Sequence, residues 1–196
     1  MKPIVVSDIL AVGEFPTLDE IVILARAGFK SIINNQPDGE VARFPASAVV
    51  AEAARAAGLA HAYAPISSRT PDAAELAAFA NALEALPAPI YAFCYSGARS
   101  AAAAALLRAR ACEPDALIRE FAEAGIDIRA LEPWLCEANA RHKGSATGLA
   151  PPPDAASPRE PGRPTQSDAS SRPLPGIVVY AHPRGAGGFA MIDHAH

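Results

Sequence analysis

The sequence predicts an α/β fold in which helices cover both faces of a mainly parallel sheet. Two observations support this prediction. Short apolar segments alternate with longer segments whose apolar residues recur at helical spacing. Gly or Pro separates most of these segments. Strands that are connected through helices pair in parallel, because each helix leads the chain back across the sheet. Ligands of such sheets bind beyond the carboxyl ends of the strands.

The first part of the chain alternates helix and strand. Ile21 and Leu24 fall on one side of the first helix, and Gly28 ends it. Gly58 ends the second helix in the same way. The predicted elements are a helix over 16–27, a strand over 31–33, a turn over 36–39, a helix over 44–57 and a strand over 60–66.

The next helix has a clear predicted start. Thr70 suits the N-cap, and Pro71 suits the first helical position, where its missing N–H group is not needed. We expect this helix to continue to Leu86. After it we predict an apolar strand over 89–93, an alanine-rich helix over 101–110 and two closing helices over 114–124 and 130–141.

The composition of the chain changes near residue 143. Eight of the 19 prolines lie between Pro151 and Pro175, which is too dense for regular helix or sheet. We therefore predict a functional domain over residues 1–142 and a Pro/Gly-rich, disordered tail over residues 143–196.

Charge and cysteine content limit the function classes. The net charge of −4 does not suit a nucleic-acid binder, which needs a basic face. Three widely spaced cysteines do not form a disulfide framework and suit a reducing compartment. No apolar run is long enough to cross a bilayer, and no signal-peptide core precedes residue 9. We expect a cytoplasmic protein that binds neither nucleic acid nor membrane.

The segment Phe-Cys-Tyr-Ser-Gly-Ala-Arg-Ser over residues 93–100 lies where a strand ends and a helix begins. Backbone N–H groups at such a junction favour anions, and Arg99 adds a full charge. We expect a thiol there to ionise readily and to act as a nucleophile. The alternative is a buried structural cysteine. The candidate catalytic residues are Cys94 and Arg99, within an anion-binding loop, the Cys94 loop, of Tyr95, Ser96, Gly97, Ala98, Arg99 and Ser100.

Two segments together resemble a known family. The segment over 27–40 and the Cys94 loop are similar to the DUF442 family, also described as beta-lactamase hydrolase-like protein, phosphatase-like, or as sulfur transferase. The resemblance covers about residues 1–140 and implies a tyrosine-phosphatase-like three-layer fold with the Cys94 loop as active site. Some relatives are fused to metallo-β-lactamase-like domains, which implies a functional link to a sulfur-oxidising protein of that type.

The chain departs from the family pattern at three positions. Gln36 and Tyr95 each stand where an arginine is common, which removes two positive charges. Phe93 precedes the cysteine, where tyrosine phosphatases carry a histidine. Because of these departures, a non-catalytic, anion-binding module stays open as an alternative to an enzyme.

Sulfur and phosphorus chemistry both remain open. Four residues separate Cys94 from Arg99, whereas tyrosine phosphatases have five, and the shorter loop resembles that of rhodaneses. We therefore favour a sulfurtransferase that forms a Cys94 persulfide. The alternative is a phosphohydrolase that forms a Cys94 phosphocysteine. The expected substrate is a small anion: thiosulfate, a persulfide or a phosphoester.

A phosphohydrolase also needs an acid to protonate its leaving group. The candidates are Asp38, with Glu40 beside it, and Asp72 in the first turn of a predicted helix. Neither aspartate is distinctive, because acidic residues are common in turns and at helix starts. Sulfur transfer needs no such acid. The sequence contains no metal-ligand cluster and no nucleotide-binding glycine pattern, so we expect no cofactor.

Overall fold

A five-stranded sheet forms the centre of the fold in the computed structural model, which describes residues 2–146. The strands are β1 (Ile4–Ser7), β2 (Leu10–Glu14), β3 (Ser31–Asn34), β4 (Ala60–Tyr63) and β5 (Ile90–Cys94), and their order across the sheet is β1-β2-β5-β3-β4. All neighbouring strands are parallel except the β1–β2 pair. The mainly parallel α/β fold predicted from the sequence is confirmed.

The first two strands have no counterpart in the sequence prediction. Both are short, a turn at Asp8 and Ile9 separates them, and Gly13 lies within β2. Their position matters for function because β2 pairs with β5 along its whole length. Glu14 is aligned with Cys94 in this pairing. The N-terminal strands therefore border the segment that contains the cysteine.

Six helices within residues 2–146 cover the sheet. They are α1 (Leu18–Arg26), α2 (Ser47–Ala56), α3 (Ala73–Ala85), α4 (Ala98–Arg108), α5 (Pro114–Glu123) and α6 (Glu132–Ala146), with a 3₁₀ turn (Arg129–Leu131) before α6. Thr17 caps α1, since its side chain accepts from the N–H group of Glu20 and the Glu20 side chain accepts in return.

The start of α3 differs from the prediction. Asp72 is the N-cap, because its side chain accepts from the N–H group of Glu75 while Glu75 accepts from the N–H group of Asp72. Thr70 and Pro71 therefore precede the helix. A reciprocal pair of carboxylates satisfies two unpaired N–H groups and is preferred to a single threonine hydroxyl.

Three further boundaries shift. Helix α2 begins at Ser47 and not at residue 44, because Pro45 disfavours helical backbone in the residue before it. Helix α4 begins at Ala98, three residues earlier than predicted. Strand β4 ends at Tyr63, although the N–H group of Ile66 still donates to the carbonyl of Asn35.

The sheet has two chemically different faces. Successive residues of a strand point to opposite sides, so Tyr91 and Phe93 of β5 lie on one side and Ile90 and Ala92 on the other. We call the first side, which α1 and α2 cover, the aromatic face. We call the second side, which α3 to α6 cover, the alanine face, because all the residues from 101 to 105 in α4 are buried alanines.

Helix α6 continues to Ala146, four residues beyond the predicted end of the domain at residue 142. The predicted disordered tail otherwise falls on residues 147–196, which lie outside the described residues. Across residues 2–146, none of the helices has the length and apolarity that a bilayer crossing requires.

Candidate active site

Cys94 is the last residue of the central strand β5 and is only 1% exposed. The carboxyl ends of β2 and β3 flank it, since β5 pairs with both strands. The cysteine is thus as buried as a structural one would be. Its surroundings, however, are not those of an apolar core, because an arginine, a glutamate and a helix N-terminus meet beside it.

The Cys94 loop turns into α4 at Gly97, the N-cap, which has a left-handed backbone with φ +85°. A Cβ atom at this position would lie 2.9 Å from backbone atoms of Gly13 in β2. The glycine permits close approach of the loop to the neighbouring strand.

The start of α4 leaves backbone donors available. The first hydrogen bond within the helix runs from the N–H group of Ala101 to the carbonyl of Gly97, at 2.9 Å. The four N–H groups from residue 97 to residue 100 therefore have no acceptor inside the helix. Such a helix N-terminus favours a bound anion.

Arg99 is held by four hydrogen bonds. Its Nη1 atom donates to Glu40 Oε2 at 2.7 Å and to the carbonyl of Ile66 at 2.8 Å. Its Nη2 atom donates to Glu40 Oε1 at 2.9 Å and to Gln36 Oε1 at 2.8 Å. A guanidinium with so many acceptors has one orientation, and the Cys94 loop receives a pre-positioned cation.

The charges of the site are coupled. Burial opposes the charged form of Arg99, but its hydrogen bonds to Glu40, with further contributions from Cys94, raise the pKa of this arginine. The same arginine lowers the pKa of Glu40 through its hydrogen bond. Glu40 is therefore a carboxylate at neutral pH. Its hydrogen bonds give it a role in holding Arg99, and the suggestion that it could act as a proton donor stays a prediction.

Ser100 has a different role from the one expected. We anticipated that it would cap α4 or donate to the cysteine sulfur. Its hydroxyl instead donates to Asn35 Oδ1 at 2.8 Å, and Asn35 Nδ2 donates to the carbonyl of Ala64 at 2.7 Å. This chain of bonds connects the first turn of α4 to the segments that follow β3 and β4.

The two candidate acids lie at helix starts. Asp38 Oδ1 accepts from the N–H group of Ser47 at 2.8 Å and so fixes the first turn of α2, while Asp72 caps α3. Neither carboxylate has a hydrogen bond to the Cys94 loop within residues 2–146. The structure gives each of them a conformational role, and their roles as acids stay predictions.

A cluster of side chains beside the Cys94 loop was missed by sequence reasoning. Arg43 Nη2 donates to the hydroxyl of Tyr95 at 3.0 Å, and its guanidinium carbon lies 5.1 Å from the ring centres of both Tyr95 and Phe44. Phe44 stacks on Phe15 with ring centres 4.2 Å apart. We call these four residues the rim cluster. Sequence pattern does not indicate this cluster, because it predicts that Phe44 begins a helix.

Several buried polar atoms near the site have no hydrogen-bond partner among the described residues. They are Asn34 Nδ2, Gln36 Nε2 and both ring nitrogens of His61. Burial lowers the pKa of His61 to about 4, although the charge of Asp38 opposes this shift. His61 is therefore a neutral imidazole at pH 7. The sequence indicated only a partly buried spacer at this position, whereas the side chain is fully enclosed.

Comparison with known proteins identifies a matching family. Residues 4–111 match the family model described as "Beta-lactamase hydrolase-like protein, phosphatase-like domain". A "Beta-lactamase hydrolase-like protein" from Xylella fastidiosa is 35% identical over 100 residues, which is 51% of this chain and 23% of the relative. The chain thus spans about a quarter of the length of that relative.

Solved structures agree on the fold. A candidate phosphatase from Neisseria meningitidis superposes with a TM-score of 0.62 at 24% identity, covering 69% of this chain and 96% of the other. PTPMT1 superposes with a TM-score of 0.56 at 17% identity, covering 76% of this chain and 100% of the other. The expected tyrosine-phosphatase-like fold is confirmed.

Proposed function

The chain belongs to the family of phosphatase-like domains of beta-lactamase hydrolase-like proteins, and on this premise we propose that it is a cysteine-dependent phosphohydrolase. The main support is one arrangement: Cys94 ends the central strand beside Arg99, which Glu40 fixes in place, and before the free N–H groups of α4. The family and its fold neighbours make this chemistry a better fit than the sulfur transfer that loop length favoured.

The proposed reaction has two steps. The phosphoryl group of a monoester lies against the N–H groups of the Cys94 loop and the guanidinium of Arg99. The Cys94 thiolate attacks phosphorus, the bond to the ester oxygen breaks, and that oxygen takes a proton to leave as an alcohol or phenol. Water then attacks the phosphocysteine, which releases phosphate and a proton and restores the thiolate.

Arg99 and Glu40 act as a unit in this proposal. The four terminal N–H groups of Arg99 donate to Glu40, Ile66 and Gln36, so its Nε–H group and its positive charge are what remain for the phosphoryl group. Glu40 limits the movement of the guanidinium, so little conformational entropy remains to be lost when the substrate binds. Asp38 and Asp72 remain candidates for the leaving-group acid. An aryl ester depends least on that acid because a phenolate leaves more readily than an alkoxide.

Sulfur transfer is the second candidate, and the four-residue spacing between Cys94 and Arg99 favours it. In this reaction Cys94 attacks the outer sulfur of thiosulfate, and sulfite leaves. The resulting Cys94 persulfide gives its outer sulfur to cyanide, which becomes thiocyanate, and the thiolate is restored. A compact loop suits a persulfide because a single charged sulfur needs fewer donors than three phosphate oxygens.

One pair of assays distinguishes the two reactions. Purified protein is incubated with phenyl phosphate, and separately with thiosulfate and cyanide, and phosphate and thiocyanate are measured. We expect phosphate release that falls by at least about a thousandfold in Cys94→Ser, since the nucleophile is lost. Cys136→Ser is the matched control, because this exposed cysteine on α6 lies outside the site.

The outcomes are distinct. Thiocyanate formation without phosphate release would replace the proposal with the sulfurtransferase. Silence in both assays, with phosphate still bound by the Cys94→Ser variant, would support an anion-binding module without turnover.

A further inference from the structure

The rim cluster contains a cation that the proposed reaction does not use. The guanidinium of Arg43 is exposed, and it has no carboxylate within ion-pair distance in the described part of the chain. One hydroxyl and two aromatic rings hold it: the Tyr95 hydroxyl at 3.0 Å and the rings of Tyr95 and Phe44. Rings and a hydroxyl orient a guanidinium without neutralising it.

The charge of Arg99, in contrast, is already matched. Glu40 accepts from both terminal nitrogens of Arg99, so the pair as a whole adds little net charge to the site. A phosphoryl dianion that binds there meets the donors of the pair but no surplus positive charge. Arg43 supplies a surplus charge in a chain that has Gln36 and Tyr95 where the resembled family commonly has arginines.

Arg43 is hydrogen-bonded to Tyr95, a residue of the Cys94 loop. Tyr95 directly follows Cys94, and consecutive Cα atoms are about 3.8 Å apart. The N–H group of Phe15 also donates to the carbonyl of Tyr95, at 3.4 Å, so the rim cluster borders the residue that follows Cys94. The remaining N–H groups of Arg43 are available to a second acceptor on the same ligand.

The space beside Arg43 is apolar. A groove of about 600 Å³ runs from Arg43 along Phe44 and Phe15 to Leu18 at the start of α1. Such a surface suits an aromatic or hydrocarbon group better than a sugar or a short polar chain. The groove and the arginine together suit a ligand that has an apolar body and a negatively charged group at its edge.

We propose that Arg43 binds a second anionic group of the substrate, and that the protein acts on aryl phosphoesters that carry a carboxylate or a further phosphate. This inference rests on the proposed phosphohydrolase function and specifies its substrate class. The apolar body lies in the groove of the rim cluster, and Arg43 binds the second anion. Arg43 is a specificity-determining residue that does not touch the transferred phosphoryl group.

The kinetic test compares phenyl phosphate with carboxyphenyl phosphate in the full chain. For Arg43→Met we expect KM for carboxyphenyl phosphate to rise about tenfold with kcat within twofold of the parent, because the lost interaction binds the substrate and the transition state equally. KM for phenyl phosphate should change by less than twofold. Arg43→Lys should restore part of the affinity, and Arg55→Met, on the exposed side of α2, is the matched control.

A binding test separates this inference from the proposed function. Calorimetry with Cys94→Ser, with and without Arg43→Met, measures orthophosphate, pyrophosphate and carboxyphenyl phosphate without turnover. We expect the Arg43→Met change to weaken binding of carboxyphenyl phosphate or pyrophosphate about tenfold, and of orthophosphate by less than twofold. The carboxylate and the second phosphate distinguish the two sources of the charge.

If the parent protein turns over neither ester while this preference is present, the phosphohydrolase proposal fails and the Arg43 site stands. If Arg43→Met affects all ligands equally, or none, in both turnover and binding, the Arg43 inference is overturned.

Discussion

The two faces of the sheet are built from different side chains and fulfil different tasks. On the alanine face, five consecutive alanines of α4 are buried between the sheet and the helices α3 and α6, so the helix backbone can lie close to its neighbours. On the aromatic face, Phe15, Tyr91 and Phe93 form a chain of contacting rings. The first face fixes a helix N-terminus beside Cys94. The second continues outward, through Phe15 and Phe44, to the rim cluster.

This difference predicts that the N-terminus of α4 beside Cys94 is held rigidly, whereas the rim cluster can change shape. Helix α4 has little room to shift, because alanines have no side-chain rotamers to rearrange and interiors are close-packed. Aromatic pairs tolerate a range of offsets and tilts at similar energy. The ring geometries here range from stacked to edge-on. We therefore expect the alanine face to be intolerant of added volume and the aromatic face to lose less from a change of shape.

The largest effect is expected from Ala103→Leu on the alanine face. Ala103 is fully buried in α4, so three added carbon atoms must displace the helix from the sheet. We expect the free energy of unfolding to fall by about 3 kcal/mol, as measured by urea unfolding, and the N-terminus of α4 to move away from Cys94.

Ala116→Leu in α5 is the matched control, because Ala116 is exposed. Its free energy of unfolding should stay within about 0.5 kcal/mol of the parent. A stable Ala103→Leu protein with full activity would show that the alanine face has room to spare.

A smaller effect is expected from the buried polar group beneath α2, His61. The pKa of His61 is lowered to about 4 in the folded protein from an ordinary value of 6.5. Between these values the unfolded chain binds a proton that the folded protein does not. Stability should therefore be full above pH 6.5 and fall by up to about 1.4 kcal/mol per pH unit toward pH 4.

His61→Leu should remove this dependence. Urea unfolding at pH 7 and pH 5 measures it, and the pH-linked loss should be about 2 kcal/mol smaller in the variant. Equal losses in the two proteins would mean that His61 is protonated within the fold and that its ring nitrogens find a partner.

The smallest effect is expected from Phe93→Leu on the aromatic face. Phe93 is buried and lies 5.0 Å from Phe15, ring centre to ring centre, in an edge-on contact. We expect a loss of about 1.5 kcal/mol in urea unfolding, from a small cavity and one lost ring contact. A loss as large as that of Ala103→Leu would contradict the distinction between the two faces.

Much of the fold could be predicted because the spacing of apolar residues and the positions of Gly and Pro indicate the same element boundaries. The order of the elements from α1 to α6, and the position of Cys94 at a strand end, follow from local pattern. The strands β1 and β2 could not be found, since each is too short to show alternation and β2 contains a glycine. The start of α3 differed from the prediction because the local pair of Asp72 and Glu75 outweighed the Thr70–Pro71 signal.

Only part of the candidate site could be predicted from the sequence. The Cys94 loop is contiguous, so its residues could be named together. The Arg99–Glu40 pair joins residues that are 59 positions apart, and the rim cluster joins three segments. Spacing along the chain carries no information about such pairs, because tertiary packing alone brings them together.

The Tyr91 side chain occupies the space that a side chain at position 13 would need. A Cβ atom at Gly13 would lie 2.3 Å from the Tyr91 hydroxyl, which itself donates to the carbonyl of Glu14 at 2.7 Å. Substitution at either position is therefore constrained by the other. A homologous sequence with a side chain at position 13 should have a smaller residue at position 91. The end of its second strand would then lack the hydrogen bond that the Tyr91 hydroxyl donates to the carbonyl of Glu14.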